Sequence, residues 1–140
     1  MSVFKKHGGD DVDWLADVEF FEGFTHEQLT RVAALSSRVE VSAGAVVIDQ
    51  GDPGTECFVL VSGRASVYVG SEHVATLSGG SMVGEMALVD HRPRNASVVA
   101  DEPLELLRFD AKQFKLLLDE MPKASERVMT LLTARLKRTL

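Results

Sequence analysis

Between Arg38 and Phe109 the chain is a succession of short, β-branched segments without helices between them, a pattern that few folds accept. Val39 and Val41, Val46–Ile48, Phe58–Val61, Ala65–Val69, Val74–Leu77, Ser97–Val99 and Leu104–Phe109 are rich in residues that suit a pleated surface. Ala65-Ser66-Val67-Tyr68-Val69 alternates as a half-buried strand should. Gly44, Gly51, Gly54, Gly63 and Gly70 punctuate the run and are expected at turns that need positive φ. Strands this short and this frequent predict a mainly β fold with flanking helices, its β part a jelly roll or barrel.

The flanks read differently. Residues 1–9 show no periodicity and are expected to form a disordered leader, with residues 10–140 as a single domain. Residues 10–37 carry the N-terminal helices. Asp10–Glu19 is expected to be a short helix with Trp14, Leu15, Val18 and Phe21 near one face. Thr25 with Gln28 three residues on has capping-box spacing, and Phe24 with Leu29 forms a hydrophobic staple across it. The helix they open should reach about Ser36, burying Leu29, Val32, Ala33 and Leu35. Residues 38–109 form the roll, and residues 110–140 close the chain with helices. Asp110 and Gln113 repeat the capping spacing, Phe114, Leu117 and Leu118 follow at helical intervals, and Pro122 marks a break or a new first turn. Val128, Leu131, Leu132 and Leu136 then form a last apolar stripe.

The chemistry lies in Ser78–Ala100. Gly84 and Glu85 precede Met86–Leu88, which can open one helical turn, and Arg94 follows nine residues after Glu85. Backbone N–H groups at a helix start attract an anion, and glycine allows it close to the chain. The Arg94 guanidinium can fork onto two phosphate oxygens, which lysine cannot do. Glu85 would repel a phosphate but can accept a hydrogen bond from a sugar hydroxyl. An acid and a base set this way among small residues read as a cradle for a nucleotide monophosphate.

Gly84-Glu85-Met86-Ala87-Leu88 followed by Pro93-Arg94-Asn95-Ala96-Ser97-Val98 resembles the phosphate-binding cassette of the cyclic nucleotide-binding domain family. Gly51-Asp52-Pro53-Gly54, Phe58 and Ser62-Gly63 resemble the family's turn framework, so the resemblance extends over nearly the whole chain. It implies a β-roll (double-stranded β-helix) with the cassette at residues 80–98, N-terminal helices and C-terminal lid helices. It implies cyclic AMP as ligand, with cyclic GMP as the variant. Carried over position by position, the backbone of Gly84, Met86 and Ala87 faces phosphate and sugar, with Val83 just before them among the ligand-binding positions. Glu85 takes the ribose 2′-hydroxyl, Arg94 takes an equatorial phosphate oxygen, and Ala96 lies in the same cradle. Val67 and Val74 match positions that flank the purine, although core valines would look the same. Asn95 departs from the family, which usually has a small residue, Ser or Thr there, and leaves the purine preference open.

Composition narrows the alternatives. The formal net charge of −6 argues against binding nucleic acid through a bulk field. No apolar run approaches the ~20 residues that cross a bilayer. The one cysteine, Cys57, excludes an internal disulfide and fits a reducing compartment, so a cytoplasmic location is expected. From Lys123 onward, Lys123, Arg127, Arg135, Lys137 and Arg138 face the single acid Glu126. They either complement a helix dipole or offer a basic face to a protein partner or to the second subunit of a homodimer. His7, His26, His73 and His91 are scattered without metal-ligand spacing, and no nucleophile motif or phosphate-loop lysine occurs. The expectation is a non-enzyme: a stand-alone cyclic-nucleotide sensor signalling through its C-terminal helices. The alternative is a protein-interaction module with a degenerate, ligand-free pocket.

Overall fold

The computed structural model describes residues 12–84 and 93–139. The expected leader, and Glu85, Met86 and Ala87 with the helical turn at Met86–Leu88, lie outside the described residues. Among the described residues eight strands form two four-stranded antiparallel sheets: β1 (Ser37–Val41), β2 (Val46–Ile48), β3 (Glu56–Ser62), β4 (Ala65–Val69), β5 (Glu72–Leu77), β6 (Met82–Val83), β7 (Ser97–Ala100) and β8 (Leu104–Asp110). The first sheet has the order β1-β8-β3-β6 and the second β2-β7-β4-β5. Consecutive strands alternate between sheets except at the β4–β5 hairpin, which lies within the second sheet, and the expected jelly roll is present.

The first sheet is buried on both faces. From β3, Cys57 and Val59 point into one core, while Phe58 and Leu60 point into another. From β8, Leu107 and Phe109 join the first core, and Leu104 and Leu106 join the second. This explains why both strands read as nearly continuous apolar runs: a strand covered on both faces has no polar side to show. The first core lies between this sheet and the helices. The second lies between the two sheets.

Several local expectations need correction. Asp10–Glu19 does not form a regular helix; its described part is a 3-10 turn at Asp13–Asp17, with a second at Glu19–Phe21. Val18 is extended (φ −81°, ψ 122°) and separates the two, yet Leu15, Val18 and Phe21 are buried as expected. Ala33 is exposed, so the stripe of α1 (His26–Leu35) is Leu29, Val32 and Leu35. Gly54 lacks the positive φ found at Gly44, Gly51, Gly63 and Gly70. The two-residue strand β6 was not anticipated, since two residues cannot display a period. Ser66, on the strand expected to alternate, is buried too, its hydroxyl 2.7 Å and 2.9 Å from the two Asp101 carboxylate oxygens.

Both capping boxes form. Gln28 N–H donates to Thr25 Oγ1 at 3.1 Å and Thr25 N–H to Gln28 Oε1 at 2.8 Å, opening α1. Asp110 and Gln113 do the same, at 2.7 Å and 2.9 Å, for α2 (Ala111–Glu120). Pro122 is the first residue of α3 (Pro122–Thr139). Arg31 of α1 forks onto Glu120 of α2 at 2.7 Å and 2.8 Å, and these hydrogen bonds hold the Glu120 carboxyl below its ordinary range. Thr25→Ala removes one half of a reciprocal cap, so unfolding in urea should show a loss of ~1 kcal/mol. A midpoint equal to that of the parent would mean that water caps the helix equally well.

Candidate functional site

Arg94 is fixed from both ends. Its backbone N–H donates to Asp52 O and its own carbonyl accepts from Gly51 N–H, each at 2.8 Å, and Pro93 bridges Pro53 beside them. The turn Gly51–Gly54 therefore acts as a short partner strand that sets where the arginine leaves the chain. At the other end, Nη1 donates to Gly84 O at 2.8 Å and Nη2 donates to Glu56 O. Two carbonyls from two strand ends thus orient one half-buried guanidinium.

Gly84 makes that arrangement possible. Its φ of +87° is a conformation L side chains rarely adopt, and a Cβ there would lie 2.6 Å from Arg94 Nη1 and 3.1 Å from Glu56 O. The same Cβ would meet Ile48 Cδ1 at 3.3 Å, so the cradle borders the inter-sheet core. From Ile48 an apolar row crosses the second sheet in register: Ile48 opposite Val98, Val98 opposite Val67, Val67 opposite Ala75. Val74 is the extra residue of a bulge, because Val67 pairs with Ala75 while Tyr68 pairs with His73. It stands 48% exposed at the edge of the sheet, an apolar side chain that the protein itself leaves uncovered.

The expected residues are distributed accordingly. Gly84 and Arg94 are in contact. Val83 pairs with Phe58, its side chain buried in the inter-sheet core. Val67 packs against that core, Ala96 is half-buried and Asn95 is exposed. Ser97 spends its hydroxyl on structure, accepting from Gln50 N–H at 2.9 Å. Glu85, Met86 and Ala87 lie outside the described residues. Two contributors escaped the sequence reading: the Glu56 carbonyl and Ile48. A backbone carbonyl carries no side-chain signature, and Ile48 looks like any other strand isoleucine. What the arrangement offers chemically is a rigid, oriented cation at one end of an apolar wall. Among the described residues no group of three His, Cys, Asp or Glu could hold a metal, and no helix is long and apolar enough to cross a membrane.

The profile described as the cyclic nucleotide-binding domain matches residues 38–121. The cAMP-dependent protein kinase regulatory subunit of Colletotrichum orbiculare is 32% identical over 108 residues, covering 76% of this chain and 28% of that protein. Among solved structures, a cAMP-bound PfPKA-R aligns with a TM-score of 0.78 at 25% identity, over 90% of this chain and 43% of that one. The catabolite activator protein of Thermus thermophilus aligns with a TM-score of 0.78 at 28% identity, over 86% of this chain and 59% of that one. The chain spans 19–37% of the length of the first curated relatives it matches.

Proposed function

This chain belongs to the cyclic nucleotide-binding domain family, and on that premise we propose that it is a regulatory domain that binds cyclic AMP and signals by moving its last helix. The observation that carries the reading is the Arg94 guanidinium, held by Gly84 O and Glu56 O beside the inter-sheet wall. A cation fixed in advance gives up little side-chain freedom when it meets a phosphate, so more of the interaction appears as affinity. In this reading Arg94 takes an equatorial phosphate oxygen and the backbone of Gly84, Met86 and Ala87 faces the phosphate and sugar. Glu85 accepts from the ribose 2′-hydroxyl. The exposed Val74 and the neighbouring Val67 support the purine, which would cover the apolar surface that Val74 leaves to solvent. Asn95, exposed beside Arg94, can donate or accept and makes cyclic GMP the competitor to test.

The chain itself performs no reaction in this proposal. Its output is a change in the position of α3, read by a protein partner or a second copy of the chain in the cytoplasm. A ligand present at a hundredfold excess over its Kd stabilises the folded state by ~2.7 kcal/mol. For a domain of this size that raises the Tm by roughly 5–10 °C. Thermal scans with cyclic AMP, cyclic GMP and linear AMP should show that rise with at least one cyclic nucleotide and not with linear AMP. A flat result with all three would leave an interaction module without a working pocket.

A further inference from the structure

The first two turns of α3 are tied to the N-terminal segment by cations rather than by apolar packing alone. Lys123 Nζ donates to Gly23 O at 2.5 Å. Arg127 Nη1 donates to Phe20 O and its Nη2 to Glu22 O, with the guanidinium carbon 5.4 Å from the centre of the Phe24 ring. Phe20 and Glu22 lie at the end of the second 3-10 turn and just past it, where carbonyls lack partners within the turn and carry partial negative charge. Gly23, with φ +83°, adds its own carbonyl, and a Cβ there would come within 3.8 Å of Lys123 Nζ and 3.9 Å of Arg127 Nη2. Beneath these bonds Ala124 and Val128 are buried in the same core as Phe20, Phe21 and Phe24. That core lies on the face of the first sheet turned away from the inter-sheet core.

We propose that Lys123 and Arg127 form a latch that holds the last helix on the far side of the first sheet and thereby opposes nucleotide binding. The inference rests on the reading that this helix must move for the domain to respond to cyclic AMP. Three carbonyl acceptors at one chain reversal form a polar seat that two basic side chains on one helix face can occupy or leave as a unit. Lysine and arginine at i and i+4 lie on the same face of the helix, so one rotation or shift breaks every bond together. Apolar packing alone would resist such a movement in proportion to the area exposed; a polar seat gives it a defined start and end. A domain held for part of the time in an arrangement that binds poorly has its apparent Kd raised by the reciprocal of the competent fraction. Weakening the latch should therefore tighten binding at a site to which neither residue contributes a contact. This role is one of positioning, and it accounts for two of the basic residues clustered at the end of an acidic chain.

The test uses Lys123→Ala, Arg127→Ala and Arg127→Lys in the full chain. Lys123 is exposed, so its truncation keeps the fold; Arg127→Lys keeps the charge but cannot serve two carbonyls with one fork. Cyclic AMP affinity is measured by calorimetry, and amide exchange is followed by mass spectrometry. Each variant should bind cyclic AMP at least threefold more tightly than the parent. Amides of residues 122–130 should exchange faster in the variants, while those of the β-roll stay unchanged. If the parent binds cyclic AMP and the variants bind it equally well or more weakly, the latch is refuted and the ligand reading survives. If the parent does not bind it at all, the ligand reading fails first, and unchanged exchange in residues 122–130 would then refute the latch independently.

Discussion

Arg94→Ala should leave a folded protein whose affinity for cyclic AMP is lowered roughly 10- to 150-fold, the equivalent of ~1.5–3 kcal/mol for a lost charge-assisted hydrogen bond. The loss has two sources that can be separated. One is the missing contact with the phosphate. The other is the release of Gly84 O and Glu56 O, which the guanidinium now joins at the adjoining ends of the paired strands β6 and β3. Both carbonyls stand next to a half-buried side chain, so water can replace part of what they lose. The expected cost in stability is then ~0.5–1.5 kcal/mol, at the level of an ordinary hydrogen bond. Arg94→Lys separates the two effects. An ammonium on a flexible stem restores charge but not a fork, so it should recover part of the affinity and little of the link between the strands. Calorimetric titration of both variants, alongside urea unfolding without nucleotide, provides the measurement. An Arg94→Ala protein that binds cyclic AMP as the parent does would remove this arginine from the site and with it the main support for the proposed function.

The sequence revealed most where periodicity and side-chain chemistry coincide. Seven of the eight strands coincide with β-branched runs, because a residue buried between layers must be apolar and a pleated surface favours branching at Cβ. Both capping boxes were legible because a cap needs particular side chains at fixed spacing. Where the reading failed, the cause was structure fixed by context. Asp13–Phe21 buries the side chains a helix would bury, but through 3-10 turns broken at Val18, whose extended backbone its residue type does not dictate. Ala33 fits the helical stripe by spacing and still faces solvent, since the width of the buried stripe depends on what packs against it. At the site, Gly84 and Arg94 stood out as residue types with a role. The partners that make them one unit, the Glu56 and Asp52 carbonyls and the Gly51 N–H, belong to the backbone, which every residue shares. The latch was visible only as a surplus of basic residues, because its acceptors are backbone carbonyls as well.

A methyl group at position 84 should be nearly as damaging as the loss of the guanidinium, although it removes no polar atom. In Gly84→Ala the new Cβ would stand 2.6 Å from Arg94 Nη1, 3.1 Å from Glu56 O and 3.3 Å from Ile48 Cδ1. Ile48 is a side chain and can give way, but Glu56 O belongs to the backbone of β3, which pairs with both β6 and β8. The arginine is the group that must move. Alanine must in addition hold φ near +87°, a left-handed conformation that costs an L residue ~1–2 kcal/mol. The combined expectation is a fall in Tm of roughly 3–10 °C. Affinity for cyclic AMP should fall roughly 10- to 150-fold, as for Arg94→Ala. If displacement of the arginine is the cause, the two changes act on one interaction, and the double variant should bind little worse than either single one. Losses that multiply would instead mean that the backbone at Gly84 contributes to binding independently of Arg94. A Gly84→Ala protein with the parent's affinity would separate this glycine from the ligand altogether, and the coupling of Gly84 to Arg94 would be no more than a feature of the fold.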